Sequence, residues 1–82
     1  MLLGFLAFAA AAQDLPEAPG KALVLHVCTQ CHGVEAFAGL RLTREEWKFE
    51  VEGMVARGAK ASRAQTRRIV DYLSNKLGRG RA

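Results

Sequence analysis

The sequence predicts a small all-α domain of three to four helices, and three observations support this fold class. Two segments begin with capping-box patterns, Thr43-x-x-Glu46 and Ser62-x-x-Gln65, which mark helix N-termini. Apolar residues recur at helical spacing after each box, and no stretch alternates between apolar and polar residues as a half-buried strand does. The chain of 82 residues has no internal repeat and is short enough for a single domain.

Residues 1–12 are predicted to be a signal peptide that is cleaved near Ala12 and Gln13. They are uncharged, rich in Leu, Phe and Ala, and end in alanines that suit signal peptidase. An apolar stretch this short does not span a bilayer, which needs about 20 helical residues. The positively charged start of a signal peptide is missing, so an upstream start codon stays open. A buried apolar element and an uncleaved membrane attachment are the alternatives. Export to the periplasm is the expectation.

The rest of the chain divides into a leader, a domain and a tail. Pro16 and Pro19 each disfavour helix in the preceding residue, so residues 13–19 are predicted to form an extended leader. The helical domain is expected over residues 20–78, and residues 79–82 form a basic tail.

Within the domain, the first helix is expected from about Lys21 to Thr29. A break follows at Gly33, and residues 36–42 are predicted to be a loop or a helical turn. The second helix should follow Thr43 and end near Gly58, and the third should run from Ser62 to Gly78. Each of these two helices has one apolar face, formed by Trp47, Val51, Met54 and Val55 in the second helix and by Ile69, Tyr72, Leu73, the stem of Lys76 and Leu77 in the third.

A domain of this size buries too little apolar surface to be comfortably stable without a metal, a cofactor or disulfides. Processing leaves seventy residues, and only two cysteines are present, so a framework of several disulfides is excluded. The aromatic residues of the mature chain are few: Phe37, Trp47, Phe49 and Tyr72. The sequence therefore predicts that a bound group completes the core.

The segment Cys28-Thr29-Gln30-Cys31-His32 has the pattern of a covalent haem attachment site. Two residues between the cysteines place both sulfurs on one turn, where each can add to a haem vinyl group and form a thioether. The adjoining histidine can then bind the iron as its proximal ligand. One covalently bound haem c is therefore expected on Cys28, Cys31 and His32.

Three other interpretations of the motif are weaker. A structural zinc site needs four ligands, and the only further candidate, His26, has poor spacing. A thioredoxin-like redox pair needs a strand and helix context that the sequence lacks. A simple disulfide explains neither the histidine nor the small core.

Met54 is the candidate for the second axial ligand, because it is the only methionine left after processing. The alternative is that Met54 simply packs in the core. His26 lies two residues before the first cysteine, on the proximal side, and reaches the other face of the haem with difficulty. Arg41 and Trp47 flank the second helix and are candidates to bind a haem propionate; a surface arginine and a core tryptophan are equally acceptable interpretations.

Charge is distributed unevenly along the chain. From Met54 onward there are eight basic residues against one acid, Asp71, whereas residues 13–53 carry more acids than bases. A basic surface favours acidic protein partners, and Arg67 and Arg68 mark the candidate docking region. Solvated helix faces explain part of the cluster equally well. Nucleic acid is not an expected partner, because no aromatic residues are interleaved with the basic ones.

Several motifs together resemble the small class I cytochromes c. They are the attachment motif, Leu42-Thr43-x-x-Glu46-Trp47, Met54, Gly58-Ala59 and Ile69-Val70-Asp71-Tyr72-Leu73. More narrowly, the pattern is similar to the haem subunit of periplasmic sulfite dehydrogenases and to the cytochrome domains of quinohaemoprotein dehydrogenases. The resemblance covers about residues 20–78.

This resemblance implies a cytochrome c fold around one haem, with Cys28 and Cys31 attached, His32 proximal and Met54 distal. Two features depart from the family. Met54 follows His32 by only twenty-two residues and lies in a predicted helix, whereas common class I members place the methionine in a long loop further on. The first helix also offers Val24 or Leu25 where those proteins often have an aromatic residue.

The leading hypothesis is a periplasmic one-electron carrier, free or as the small subunit of a dehydrogenase. The chain has no evident set of acid, base and nucleophile, so it is not expected to be an enzyme. Two other hypotheses stay open: a five-coordinate haem protein that binds a diatomic gas or peroxide, and a structural module stabilised by its haem. No stable transmembrane span is expected.

Overall fold

The computed structural model describes residues 15–31 and 33–79. They form three α-helices joined by short connections: α1 (Lys21–Cys28), α2 (Arg44–Ala56) and α3 (Arg63–Lys76), with a 3-10 turn at Val34–Ala36 between α1 and α2. Strand-like pairing in this part of the chain is limited to one isolated parallel bridge, between Leu42 and Gly78. The all-α class is confirmed. The predicted signal peptide (residues 1–12), the first residues of the leader, His32 and residues 80–82 lie outside the described residues.

Both predicted capping boxes are present and start α2 and α3. The Thr43 hydroxyl accepts from the Glu46 backbone N–H at 3.2 Å, and the Glu46 carboxylate accepts from the Thr43 N–H at 2.9 Å. The same two bonds join Ser62 and Gln65, at 3.1 and 2.8 Å. The Thr43 N–H, followed by the Arg79 guanidinium, lowers the pKa of Glu46. The resulting stabilisation is present at neutral pH and is lost as the pH falls through that lowered pKa.

Helix α2 ends at the predicted glycine, Gly58, in a Schellman motif. The Gly58 N–H donates to the Val55 carbonyl at 3.0 Å, and the Ala59 N–H donates to the Met54 carbonyl at 3.0 Å. Gly58 has φ +119°, a conformation that residues with a Cβ rarely adopt. The last turn of α2, which carries Met54, is therefore fixed by two backbone bonds beyond the helix itself.

Helix α1 packs on α3 through a close approach at Gly20. This residue precedes α1 with φ +105°, and a Cβ built on it would lie 3.1 Å from the Cβ of Tyr72. The Tyr72 hydroxyl donates to the Pro16 carbonyl at 2.6 Å, and Leu15 is buried. The described part of the leader is therefore held against α3.

Helices α2 and α3 are joined where α2 begins and α3 ends. The Trp47 indole N–H donates to the Leu77 carbonyl at 2.8 Å, and the Leu42 N–H donates to the same carbonyl at 3.2 Å. The Arg79 N–H in turn donates to the Leu42 carbonyl at 3.0 Å. The segment before α2 is therefore held against the segment after α3.

The predicted apolar faces of α2 and α3 contribute seven of the fifteen buried core residues in the described part of the chain, and Val55 of the α2 face is only half-buried. Trp47, Val51 and Met54 are buried on α2, and Ile69, Tyr72, Leu73 and Leu77 are buried on or just after α3. Lys76, expected to add its stem to this face, is exposed. Phe49 is 78% exposed, and the other three aromatic residues of the described chain, Phe37, Trp47 and Tyr72, are buried.

We predict that three Gly→Ala substitutions separate the steric from the conformational requirement. Gly58→Ala should cost about 1–2 kcal/mol in free energy of unfolding, because only its positive φ is strained. Gly20→Ala should cost more, about 2–3 kcal/mol, because its new methyl group also presses on Tyr72. Gly39→Ala is the control, since nothing lies within 4 Å of its Cβ position. Denaturant titration that ranks Gly39→Ala as the most destabilised variant would contradict this packing.

Candidate functional site

The cysteine pair lies at the end of α1. Cys28 is the last residue of the helix and is 1% exposed, whereas Cys31 is exposed on the turn that follows. The turn closes locally, because the Gln30 N–H donates to the Val27 carbonyl at 3.2 Å. Both cysteines are free thiols. His32 lies outside the described residues, so its predicted role as an iron ligand stays a prediction.

Burial sets the chemistry of Cys28. Loss of solvent, and next the neighbouring Cys31, raise the pKa of the Cys28 thiol from 9.0 to about 11. At neutral pH this side chain is therefore a neutral, apolar thiol that packs in the core, and it is a poor thiolate nucleophile. The two cysteines of one short motif thus occupy opposite environments, one inside and one facing solvent.

Met54 and Cys28 both line one small, partly open cavity of about 80 Å³. Trp47, Val51 and Met54 of α2 line one part of it. The remaining walls come from α1, α3 and the segment between α1 and α2, and they include Cys28, Leu73, Phe37 and Leu40. A thiol, a thioether and mostly apolar side chains therefore meet at a single place in the fold.

This cavity is smaller than the 300–1,000 Å³ typical of pockets for drug-sized ligands, and a porphyrin is at least that large. The wall that contains Phe37 and Leu40 has no backbone hydrogen bond to α1, α2 or α3. The N–H groups of Phe37 and Ala38 donate to the Val34 carbonyl, and that of Leu40 donates to the Phe37 carbonyl, so these bonds stay within the segment. The segment from Val34 to Leu40 can therefore be displaced without breaking backbone bonds to the helices.

The two candidates for binding a propionate are placed differently. Arg41 is exposed, and its guanidinium donates to the carbonyls of Ala38 at 3.0 Å and Leu40 at 2.8 Å. Trp47 is buried, and its single N–H is used by Leu77. To donate to a propionate, Trp47 would have to give up its hydrogen bond to the Leu77 carbonyl. Arg41 still has guanidinium N–H groups that are not used in hydrogen bonds with the described residues. Both roles stay predictions.

Arg57 is a site residue that the sequence analysis missed. It lines the cavity with Met54 and follows it by three residues, hence on the same face of the helix. Its guanidinium has no hydrogen bond or ion pair with the described residues. A cation at the edge of an apolar cavity suits a carboxylate on a bound group. The spacing from Met54 was the signal that could have identified it.

Other possible ligands are few in the described part of the chain. His26 is exposed near the end of α1. In residues 15–31 and 33–79 no group of three His, Cys, Asp or Glu side chains could hold a metal ion. Among the helices of those residues, none is long and apolar enough to cross a membrane.

The helices also separate charge. Helix α3 carries Arg63, Arg67 and Arg68, which are exposed and form no ion pair with other described residues. Its one acid, Asp71, is paired with Arg44 of α2. Helix α2 carries four acidic side chains, Glu45, Glu46, Glu50 and Glu52, and all four are exposed. The domain therefore presents a basic helix and an acidic helix to solvent.

Comparison of the chain with protein-family models, with curated proteins and with solved structures finds no match. A functional assignment for this chain therefore depends on the chemistry of its own residues and on their arrangement.

We predict that the two thiols of the haem-free protein differ strongly in reactivity. At pH 8, iodoacetamide should modify Cys31 first. Cys28 should react at least about hundredfold more slowly than a thiol with the ordinary pKa, because two pH units separate about 11 from 9.0. Mass spectrometry of the single-cysteine variants Cys28→Ser and Cys31→Ser measures each rate. Both should react equally fast in urea, and equal rates in the folded protein would contradict the burial of Cys28.

Proposed function

We propose that this chain is an exported mono-haem c-type cytochrome that carries single electrons. The observation that supports this most strongly is the meeting of Cys28, from the attachment motif, with the Met54 thioether at one apolar cavity. These two residues are 26 positions apart in the sequence. A cysteine and a methionine on opposite helices, with His32 in the motif, form the donor set of a haem c held by histidine and methionine.

Each residue has a stated role in this proposal. Cys28 and Cys31 would hold the haem through thioether bonds, and His32 and Met54 would supply a ring nitrogen and a sulfur to its iron. The haem would supply reversible one-electron chemistry. With two protein ligands in place, a substrate would be oxidised on a partner protein, and the chain itself would not be an enzyme.

The residues present fit a haem in chemistry, and in size once one wall moves. The helix faces that would contact the macrocycle are apolar, and Arg57 and Arg41 offer guanidinium groups for the propionates. We infer that outward displacement of Phe37 and Leu40, with their segment, makes the room. That segment would then pack on the haem edge, because its apolar side chains need a new surface to cover.

The proposed partner is a redox protein with an acidic docking surface, such as a periplasmic dehydrogenase of which this chain is the haem subunit. The exposed Arg63, Arg67 and Arg68 of α3 support this choice, because unpaired cations accelerate encounter with an acidic surface. No role with nucleic acid is proposed. Donor and acceptor are identified here only by the sign of the charge that α3 would meet.

The first test is covalent attachment. We expect the protein, expressed in a periplasm that contains a haem c maturation system, to retain haem after denaturing electrophoresis. Cys28→Ser or Cys31→Ser should leave one thioether, which shifts the pyridine haemochrome band, and the double variant should retain no haem. His26→Ala is the matched control and should load normally. A wild-type chain that is exported and stable but carries no haem would refute the proposal.

The second test concerns the sixth ligand. The oxidised protein should show the weak charge-transfer band of methionine ligation in the far red, and Met54→Leu should abolish it and lower the reduction potential. Val55→Leu, next to it on α2, is the control. Carbon monoxide should bind the reduced Met54→Leu protein readily and the wild type poorly. Equally fast binding to the wild type would instead favour the five-coordinate, gas-binding hypothesis.

A further inference from the structure

The side chain of Gln30 joins two distant parts of the chain. The Lys60 backbone N–H donates to its Oε1 atom at 3.0 Å, and its Nε2 atom donates to the Lys60 carbonyl at 3.4 Å. One primary amide thus satisfies both backbone groups of a residue thirty positions away, as a neighbouring strand would. No other described backbone group bonds to Lys60.

Gln30 occupies one of the two variable positions between Cys28 and Cys31. The other variable residue, Thr29, uses its hydroxyl within α1, where it donates to the Leu25 carbonyl. In the described residues of the attachment turn, Gln30 is therefore the residue whose side chain bonds to another part of the fold. Spacing alone does not require a glutamine here, since the attachment chemistry needs only the cysteines and the histidine.

Lys60 belongs to the connector, residues 57–62, which links α2 to α3. The residue before it, Ala59, is buried, and its N–H donates to the Met54 carbonyl at 3.0 Å. Two steps therefore connect Gln30 to Met54: the side-chain amide holds the Lys60 backbone, and the adjoining Ala59 backbone holds the last turn of α2.

We propose that Gln30 is a positioning residue that fixes the Met54 end of α2 relative to the attachment turn. This inference rests on the proposed function. The separation of Met54 from the attachment turn matters there because the turn would carry one iron ligand, His32, and α2 would carry the other, Met54. The pairing with Lys60 is exposed, so its contribution to overall stability is small. The effect of the Gln30–Lys60 pairing is to hold the attachment turn and the connector in a fixed relative position.

The connector can be measured without any haem. Hydrogen exchange of the Lys60 and Ala59 amides in Gln30→Ala should be faster than in the wild type by about tenfold, since an amide without its acceptor opens to solvent. Ala59 is the informative amide, because Gln30 does not contact it. Gln30→Glu keeps an acceptor for the Lys60 N–H and should restore the protection of both amides. Thr29→Ala, in the same motif, should leave both amides unchanged.

The haem-loaded protein gives a second, spectroscopic measurement. Attachment should be complete in Gln30→Ala, because both cysteines and the histidine are intact. Its far-red methionine band should bleach at a lower pH than in the wild type, and carbon monoxide should bind the reduced protein about tenfold faster, since Met54 leaves the iron more often. Gln30→Glu should lie close to the wild type in both measurements.

The outcomes separate this inference from the proposed function. Unchanged exchange of Lys60 and Ala59 in Gln30→Ala overturns the inference whether or not haem is bound. Faster exchange with an unchanged bleaching pH and unchanged carbon monoxide binding also overturns the inference, because the Gln30–Lys60 contact would then be structural and would not position Met54. A wild type that takes up no haem refutes the proposed function, and the two amides then decide whether Gln30 positions the end of α2.

Discussion

The Leu77 carbonyl is the point on which the arrangement of α2 and α3 depends. It accepts from the Trp47 indole and from the Leu42 backbone, so the start of one helix is bonded to the end of the other. The bond from Trp47 is buried, where an unpaired donor or acceptor costs about 1–3 kcal/mol. With Trp47 fixed, the helical period directs Val51 and Met54 to the same side, toward the end of α1. The cavity beside Cys28 follows from that one constraint.

Burial of Cys28 has two consequences that act together. It supplies a small apolar side chain to a core that, in the described part of the chain, contains three buried aromatic residues, and it suppresses the thiolate by raising the pKa to about 11. A thioether in the same position has no proton to lose and prefers the same apolar surroundings. The site therefore favours the alkylated form of this sulfur over the ionised form. Cys31 faces solvent, so neither consequence of burial applies to its sulfur.

Local features of the fold were predictable from the sequence, and most nonlocal ones were not. The two capping boxes and the Gly58 stop depend on residues within six positions of each other, so their patterns are visible directly. The bonds from Trp47 to Leu77, from Tyr72 to Pro16 and from Gln30 to Lys60 each span thirty or more positions. Their acceptors are backbone carbonyls in the first two cases, and every residue has one. Side-chain identity therefore gave no indication of them, whereas Arg57 could have been placed at the cavity by its spacing from Met54.

These nonlocal hydrogen bonds hold most segments around the core but not the segment from Val34 to Leu40. Tyr72 holds the leader, Leu77 holds the start of α2, and Gln30 holds the connector, so three segments of the domain are bonded to distant residues. Among the described residues, the backbone of the segment from Val34 to Leu40 bonds only within itself and to its neighbours Gly33 and Arg41, and Leu40 at its end is 42% exposed. A large apolar ligand can enter such a domain only where the existing bonds are local, because elsewhere it would have to break several at once. For the proposed haem, the side of the cavity that carries Phe37 and the exposed Leu40 is therefore the expected side of entry.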